Sequence, residues 1–132
     1  MKITKRIQNY MNVKYRFTEL IAITILAVTA STTTYYLNHA YNLGPFIASG
    51  LIGVIAASLL TPGFAAAAYT ASFVGMSAEF VLPGVSTAAL AGLVVGIIAF
   101  MTKPIFAGWG GKGGITAATA VLITLLGLNF FQ

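Results

Sequence analysis

Cysteine is absent from the 132-residue chain, and acidic residues nearly so: Glu19 and Glu79 are the only two. Without thiols there are no disulfides, thiolate metal sites or cysteine nucleophiles. The single histidine, His39, makes no metal set alone and reads as a solvated loop residue. No nucleophile–base pair, ligand cluster or carboxylate pair is visible, so neither catalysis nor a metal or cofactor is expected. Charge of any sign is scarce. Only 7% of residues are charged, against about 25% in soluble domains. So small a globule would need a large polar surface, and this composition excludes an ordinary soluble domain, a disordered chain and a disulfide scaffold.

What the chain has instead is apolar length. Hydrophobic residues make up 58% of it and the mean hydropathy is +0.92, which points to an all-α integral membrane protein. At 1.5 Å per residue, crossing a hydrocarbon core of about 30 Å takes roughly 20 apolar residues. Residues 17–37 meet this as a first span. The polar run from Asn38 to Gly44 ends it, and Pro45 suits the first turn of a second helix, 45–60. Thr61-Pro62-Gly63 and Pro83-Gly84 are turn signals that bound a third candidate, 64–82. Residues 85–102 and 114–131 complete five spans.

The charge is uneven. Lys2, Lys5, Arg6, Lys14 and Arg16 precede the first span, and only Lys103 and Lys112 follow it. Residues 1–16 read as a separate amphipathic segment, with Ile3, Ile7, Tyr10 and Met11 on one side, lying in the cytoplasmic interface against anionic headgroups. Nucleic acid is not an expected partner, since residues 17–132, the single polytopic domain, are too apolar to interleave bases and aromatics. The basic start, apolar run and Val28-Thr29-Ala30 also resemble a signal peptide, but the apolar stretch continues past that point, which favours a retained anchor.

The positive-inside rule places the N-terminus in the cytoplasm of a plasma (inner) membrane protein. Five spans then return Lys103 and Lys112 to the same side, with Tyr35, Tyr36, Tyr41 and Phe46 as an outer aromatic belt and Trp109 at the inner face. The third candidate is small and polar for a lipid-facing helix. Its alternative is a re-entrant hairpin, which would put both lysines outside. Residues 50–65 also resemble 92–107 at an offset of 42, with a shared Pro-x-Phe-Ala, so a duplicated helical hairpin is expected.

Three groups of residues are candidates for function. Glu79, an acid at membrane depth, would share a helical face with Tyr69 and Ser72 and line a solute or ion path. Glu19 is expected to pair with Arg16 or to snorkel. The glycine-rich stretch 108–114 ahead of the last helix suggests an anion or headgroup site built from Gly111, Lys112, Gly113 and Thr116, although it is not a P-loop. Small residues recurring every four positions, among them Gly53 with Ala57, Gly92 with Gly96 and Ala71 with Gly75, read as helix-packing faces. Two functions follow. One is a small homo-oligomeric channel or transporter for an ion or small solute, with its site between repeats or protomers. The other is a non-catalytic subunit of a larger membrane complex, docked through the small-residue faces.

Overall fold

No glycine or proline occurs before Gly44, so nothing in the first forty residues breaks a helix. The computed structural model, which describes residues 2–103 and 111–131, accordingly contains one uninterrupted helix α1, Lys2–His39. The amphipathic segment expected at 1–16 is continuous with residues 17–37 in this one helix, and its described side chains are exposed. The side chain of Tyr10 and the segment with Trp109 lie outside the described residues.

Four more helices follow: α2 Pro45–Leu59, α3 Pro62–Gly75, α4 Val85–Met101 and α5 Lys112–Phe131. No strand occurs among the described residues. Pro45 and Pro62 stand in the first turns of α2 and α3, where a missing N–H costs no helical bond. By length and composition α1 and α5 can each cross a membrane, while α2 and α4 are shorter apolar helices.

The third helix ends seven residues sooner than its 64–82 expectation, at Gly75. The terminator comes from α1: Asn38 Nδ2 donates to Gly75 O and His39 Nε2 lies 2.9 Å from Ser77 O. Helix-end carbonyls lack intrahelical donors; Asn38 supplies one to Gly75, while His39 engages Ser77 in the connection beyond the helix. The connection 76–84 then folds back over the bundle, with Leu82 fully buried as its anchor.

Helix direction alternates. Thr24 meets Gly96 and Ser31 meets Gly92, so α4 runs antiparallel to α1. Ser31, Thr34 and Tyr35 meet Gly75 at the far end of α3, while Phe64 at its start faces Thr18 and Ala22; α3 is parallel to α1. Ser49 meets Ser72 and Gly53 meets Tyr69, which sets α2 antiparallel to α3. Gly113 lies against Thr70, and Ala117 and Val121 share a groove with Phe73 and Val81, so α5 runs with α3.

Close approach is what the glycines permit. A Cβ on Gly75 would stand 2.7 Å from Ser31 O, and one on Gly92 would collide with the Ser31 hydroxyl. Gly96 and Ala71 also sit in contacts, Ala71 fully buried. Ala57 does not. It is exposed, and Ala48, Ser49 and Ala56 form the buried face of α2. Two steps of four residues turn a helix by about 80° off the starting face, which carries Ala57 outward.

The burial pattern is inverted relative to a soluble protein. Ala27, Ala71, Ala88, Ala91, Ala120, Ser31, Thr34 and Ser72 are fully or almost fully buried, whereas Phe46 is 80% exposed, Leu59 78% and Leu126 68%. Water would drive the large apolar groups inward. The interior is instead held by small-residue contact and by hydroxyls on neighbouring backbones: Ser31 donates to Ala88 O at 3.0 Å, and Ser49 to Ser72 at 2.8 Å while Ser72 donates to Tyr69 O.

Candidate functional site

The two ends of the bundle carry different chemistry. At the His39 end, the last turns of α1 are stapled to the 76–84 connection. Tyr35 is buried, correcting its place in an aromatic belt. Its hydroxyl donates to Leu82 O at 2.6 Å and accepts from Gly84 N at 3.0 Å. Tyr36, Tyr41 and Phe46 remain exposed nearby. His39 closes α1 as its final residue, and its ring lies 4.3 Å from that of Tyr35. Its Nε2 lies 2.9 Å from Ser77 O and 3.3 Å from Asn38 Nδ2. Nδ1 faces Glu79 Oε1 at 3.6 Å. This histidine is therefore an engaged helix terminator, not a loop residue free in solvent.

Glu79, Tyr69 and Ser72 do not form one face. The helix stops before Glu79, whose side chain is 73% exposed. Tyr69 is exposed and stacks edge-on to Phe73, and Ser72 is buried against Ser49. The physical cause is the termination of α3 by Asn38 and His39, which removes the helical register that would have aligned the three.

At the Glu19 end a cavity of about 300 Å³ enters between α1, α3, α4 and α5. Ile23, Ala66, Ala67 and Ala99 supply apolar wall; Lys103, Lys112, Thr70 and Thr116 supply polar groups, with Gly63 and Gly113 completing it. Lys112, Gly113 and Thr116, singled out in the sequence, are thus brought together here. Gly111, in the left-handed conformation at φ 86°, turns the chain into α5. Lys112 is not a free point charge: its ammonium donates to Thr102 O at 2.7 Å and reaches Lys103 O at 3.4 Å. A cation on the last carbonyls of α4 is favoured by the helix dipole. Thr116 donates to Lys112 O within α5.

Lys103, at the edge of the cavity, pairs with Glu19, which lies outside the lining and is the more buried partner. Glu19 thus pairs with Lys103 rather than Arg16. The sequence signal for this was available, since alternating spans bring the entrance of the first and the exit of the fourth to the same end. Thr70 and Gly63 had no such signal, because their place depends on how closely α5 approaches α3.

Above the cavity, Ala27, Ala71, Val74, Ala91 and Val95 have at most trace exposure, so the described residues of one chain enclose no continuous path from end to end. Comparison with known proteins finds no matching family model, no similar curated protein and no similar solved structure.

Proposed function

We propose that the chain is a multi-pass protein of the plasma (inner) membrane with a cytoplasmic N-terminus, and that it works as a small oligomeric channel or transporter for an ion or small solute. The inverted burial pattern supports lipid as the solvent of its outer surface. From Glu19 to Asn38 α1 rises about 28 Å, close to the roughly 30 Å of a hydrocarbon core. The α2–α3 turn and the end of α4 return to the level of Glu19, which favours five crossings over a re-entrant hairpin. Lys103 and Lys112 then share the cytoplasmic side with the basic start of α1, in keeping with the positive-inside rule.

The observation that carries transport is the cationic cavity reaching inward between four helices from that side. Its lysines sit at the level of Glu19, the cytoplasmic boundary of the proposed core, where they would mark an entrance. Since one chain is packed shut above the cavity, a path forms either between protomers or by rearrangement, which is why an oligomer belongs to the reading. The subunit alternative draws less support: Gly75, Gly92 and Gly96 are occupied by α1 and offer no docking face.

The test is reconstitution of the purified chain in vesicles with fluxes of small anions and cations. Saturable flux that falls in Lys103→Gln supports the reading. Absence of flux for every ion tried, with co-purification of a larger complex, would replace it with the subunit role. The chain lacks cysteine, so a single cysteine at Lys112 reports orientation. Labelling from outside would overturn the five-span topology.

A further inference from the structure

We infer that the cavity at the Glu19 end receives one small oxyanion of the phosphate or carboxylate class, and that Glu19 is its built-in competitor for Lys103. The inference rests on the membrane reading above and deepens it by naming the ligand class. Among the described residues the cavity wall holds two ammonium groups and no carboxylate, so its own charge selects an anion. Two helices also begin there: Gly63 is the second residue of α3 and Gly113 the second of α5. First-turn amides have no intrahelical acceptors, and Thr61 gives α3 no side-chain cap. Both positive helix ends thus reinforce the lysines.

The two lysines divide the work. Two of the three donors of Lys112 are aimed at the carbonyls of Thr102 and Lys103, which fixes its position and leaves one donor for a ligand. Lys103 stands at the mouth, half exposed, with Glu19 as its counter-ion. An arriving oxyanion makes the same kind of charge-assisted bond that Glu19 makes, so the two compete. Thr70 adds a hydroxyl to the wall, whereas the Thr116 hydroxyl proton is already given to Lys112 O. A volume of about 300 Å³ is at the small end of the roughly 300–1,000 Å³ of ligand sites and is ample for a phosphate group. That phosphate comes either from an anionic lipid headgroup or from solution.

The experiment titrates inorganic phosphate, and separately acetate, into the full-length chain in phosphatidylcholine nanodiscs, with binding followed by calorimetry. Saturable binding is expected, tightened about tenfold in Glu19→Gln and weakened about tenfold in Lys103→Gln, each the worth of one charge-assisted bond. A salt bridge beside no anion site predicts no saturable binding and so neither change. If Lys103→Gln does not fold, Glu19→Gln is measured at low and high salt: through-space repulsion is screened at high salt, so a gain in affinity that survives marks direct competition and one that vanishes overturns it. Repeating the titration with phosphatidylglycerol added separates the sources: suppressed binding assigns the site to a headgroup, unchanged binding to a soluble anion, and either supports the inference. No saturable binding of phosphate or acetate in either nanodisc, or equal affinity in the wild type and Glu19→Gln, would overturn it. Binding without flux would leave the site standing and remove transport, whereas cation flux without anion binding would do the reverse.

Discussion

The two ends of this bundle are built on opposite principles. At the His39 end every device closes: Gly75 lets α3 touch the backbone of α1, Tyr35 bonds both sides of the Leu82–Gly84 turn, and Asn38 and His39 engage carbonyls at and just beyond the end of α3. At the Glu19 end the helices diverge around a cavity whose charges are held by one another. The difference is one of solvent as well as packing. Where no polar group needs water, small residues bring helices into contact; where lysines must stay charged, space is left beside them. The closed end is held by contacts within the chain, and the open end keeps charged groups beside a cavity.

The sharpest way to break that comparison is to make the same change at each end. Gly75→Ala puts a methyl against Ser31 O and Tyr35 N, and overpacking of this kind costs about 1–3 kcal/mol. Gly63→Ala meets nothing within 4 Å and gains helix propensity, stabilising by up to about 1 kcal/mol. Thermal unfolding in detergent should show opposite signs. Two shifts of the same sign would mean that the ends are not packed differently.

Tyr35→Phe keeps the ring and removes the hydroxyl that ties the turn to α1, although Gly84 N still donates to Leu82 O at 2.9 Å. Loss of such a bond costs about 0.5–1.5 kcal/mol. Amide exchange should quicken across 76–84 and hardly change at Lys103, and uniform quickening would show that the two ends unfold together. A smaller effect is expected for Ser49→Ala. Ser72 keeps its bond to Tyr69 O, and in the lipid setting proposed above an interhelical bond of this type averages about 0.6 kcal/mol. Its loss should lower the melting temperature slightly without altering anion binding at the other end.

What could be read from the sequence follows from where the information sits. Helices α2 and α4 begin within a residue of the punctuation that announced them, since Pro45 and Pro83-Gly84 act on the backbone locally. The end of α3 was not readable: residues 76–82 contain no proline or glycine, and the terminator is a pair of side chains from α1. The continuity of α1 was written in its lack of breakers, but the pattern of Ile3, Ile7 and Met11 suggested a second element. Tyr35 has aromatic neighbours in sequence and resembled them, and only the approach of the 76–84 connection distinguishes it. The polar cluster at Lys112 was visible by composition. Its lysine's engagement with α4, and the Glu19–Lys103 pair, required the fold.

The smallest expected effect is at Glu79, and it discriminates most between the ends as functional sites. The carboxylate is 73% exposed and sits 3.6 Å from His39 Nδ1. Solvent screens such a pair, so Glu79→Gln should change stability by no more than about 0.5 kcal/mol. The glutamine keeps the shape and loses the charge. If the working site is the cavity, flux and phosphate affinity should both match the wild type, while Glu19→Gln alters them. If Glu79→Gln instead abolishes flux with the fold and anion affinity intact, the path must run past the closed end. The path would then run along α3, which reaches from the cavity to the connection that carries Glu79.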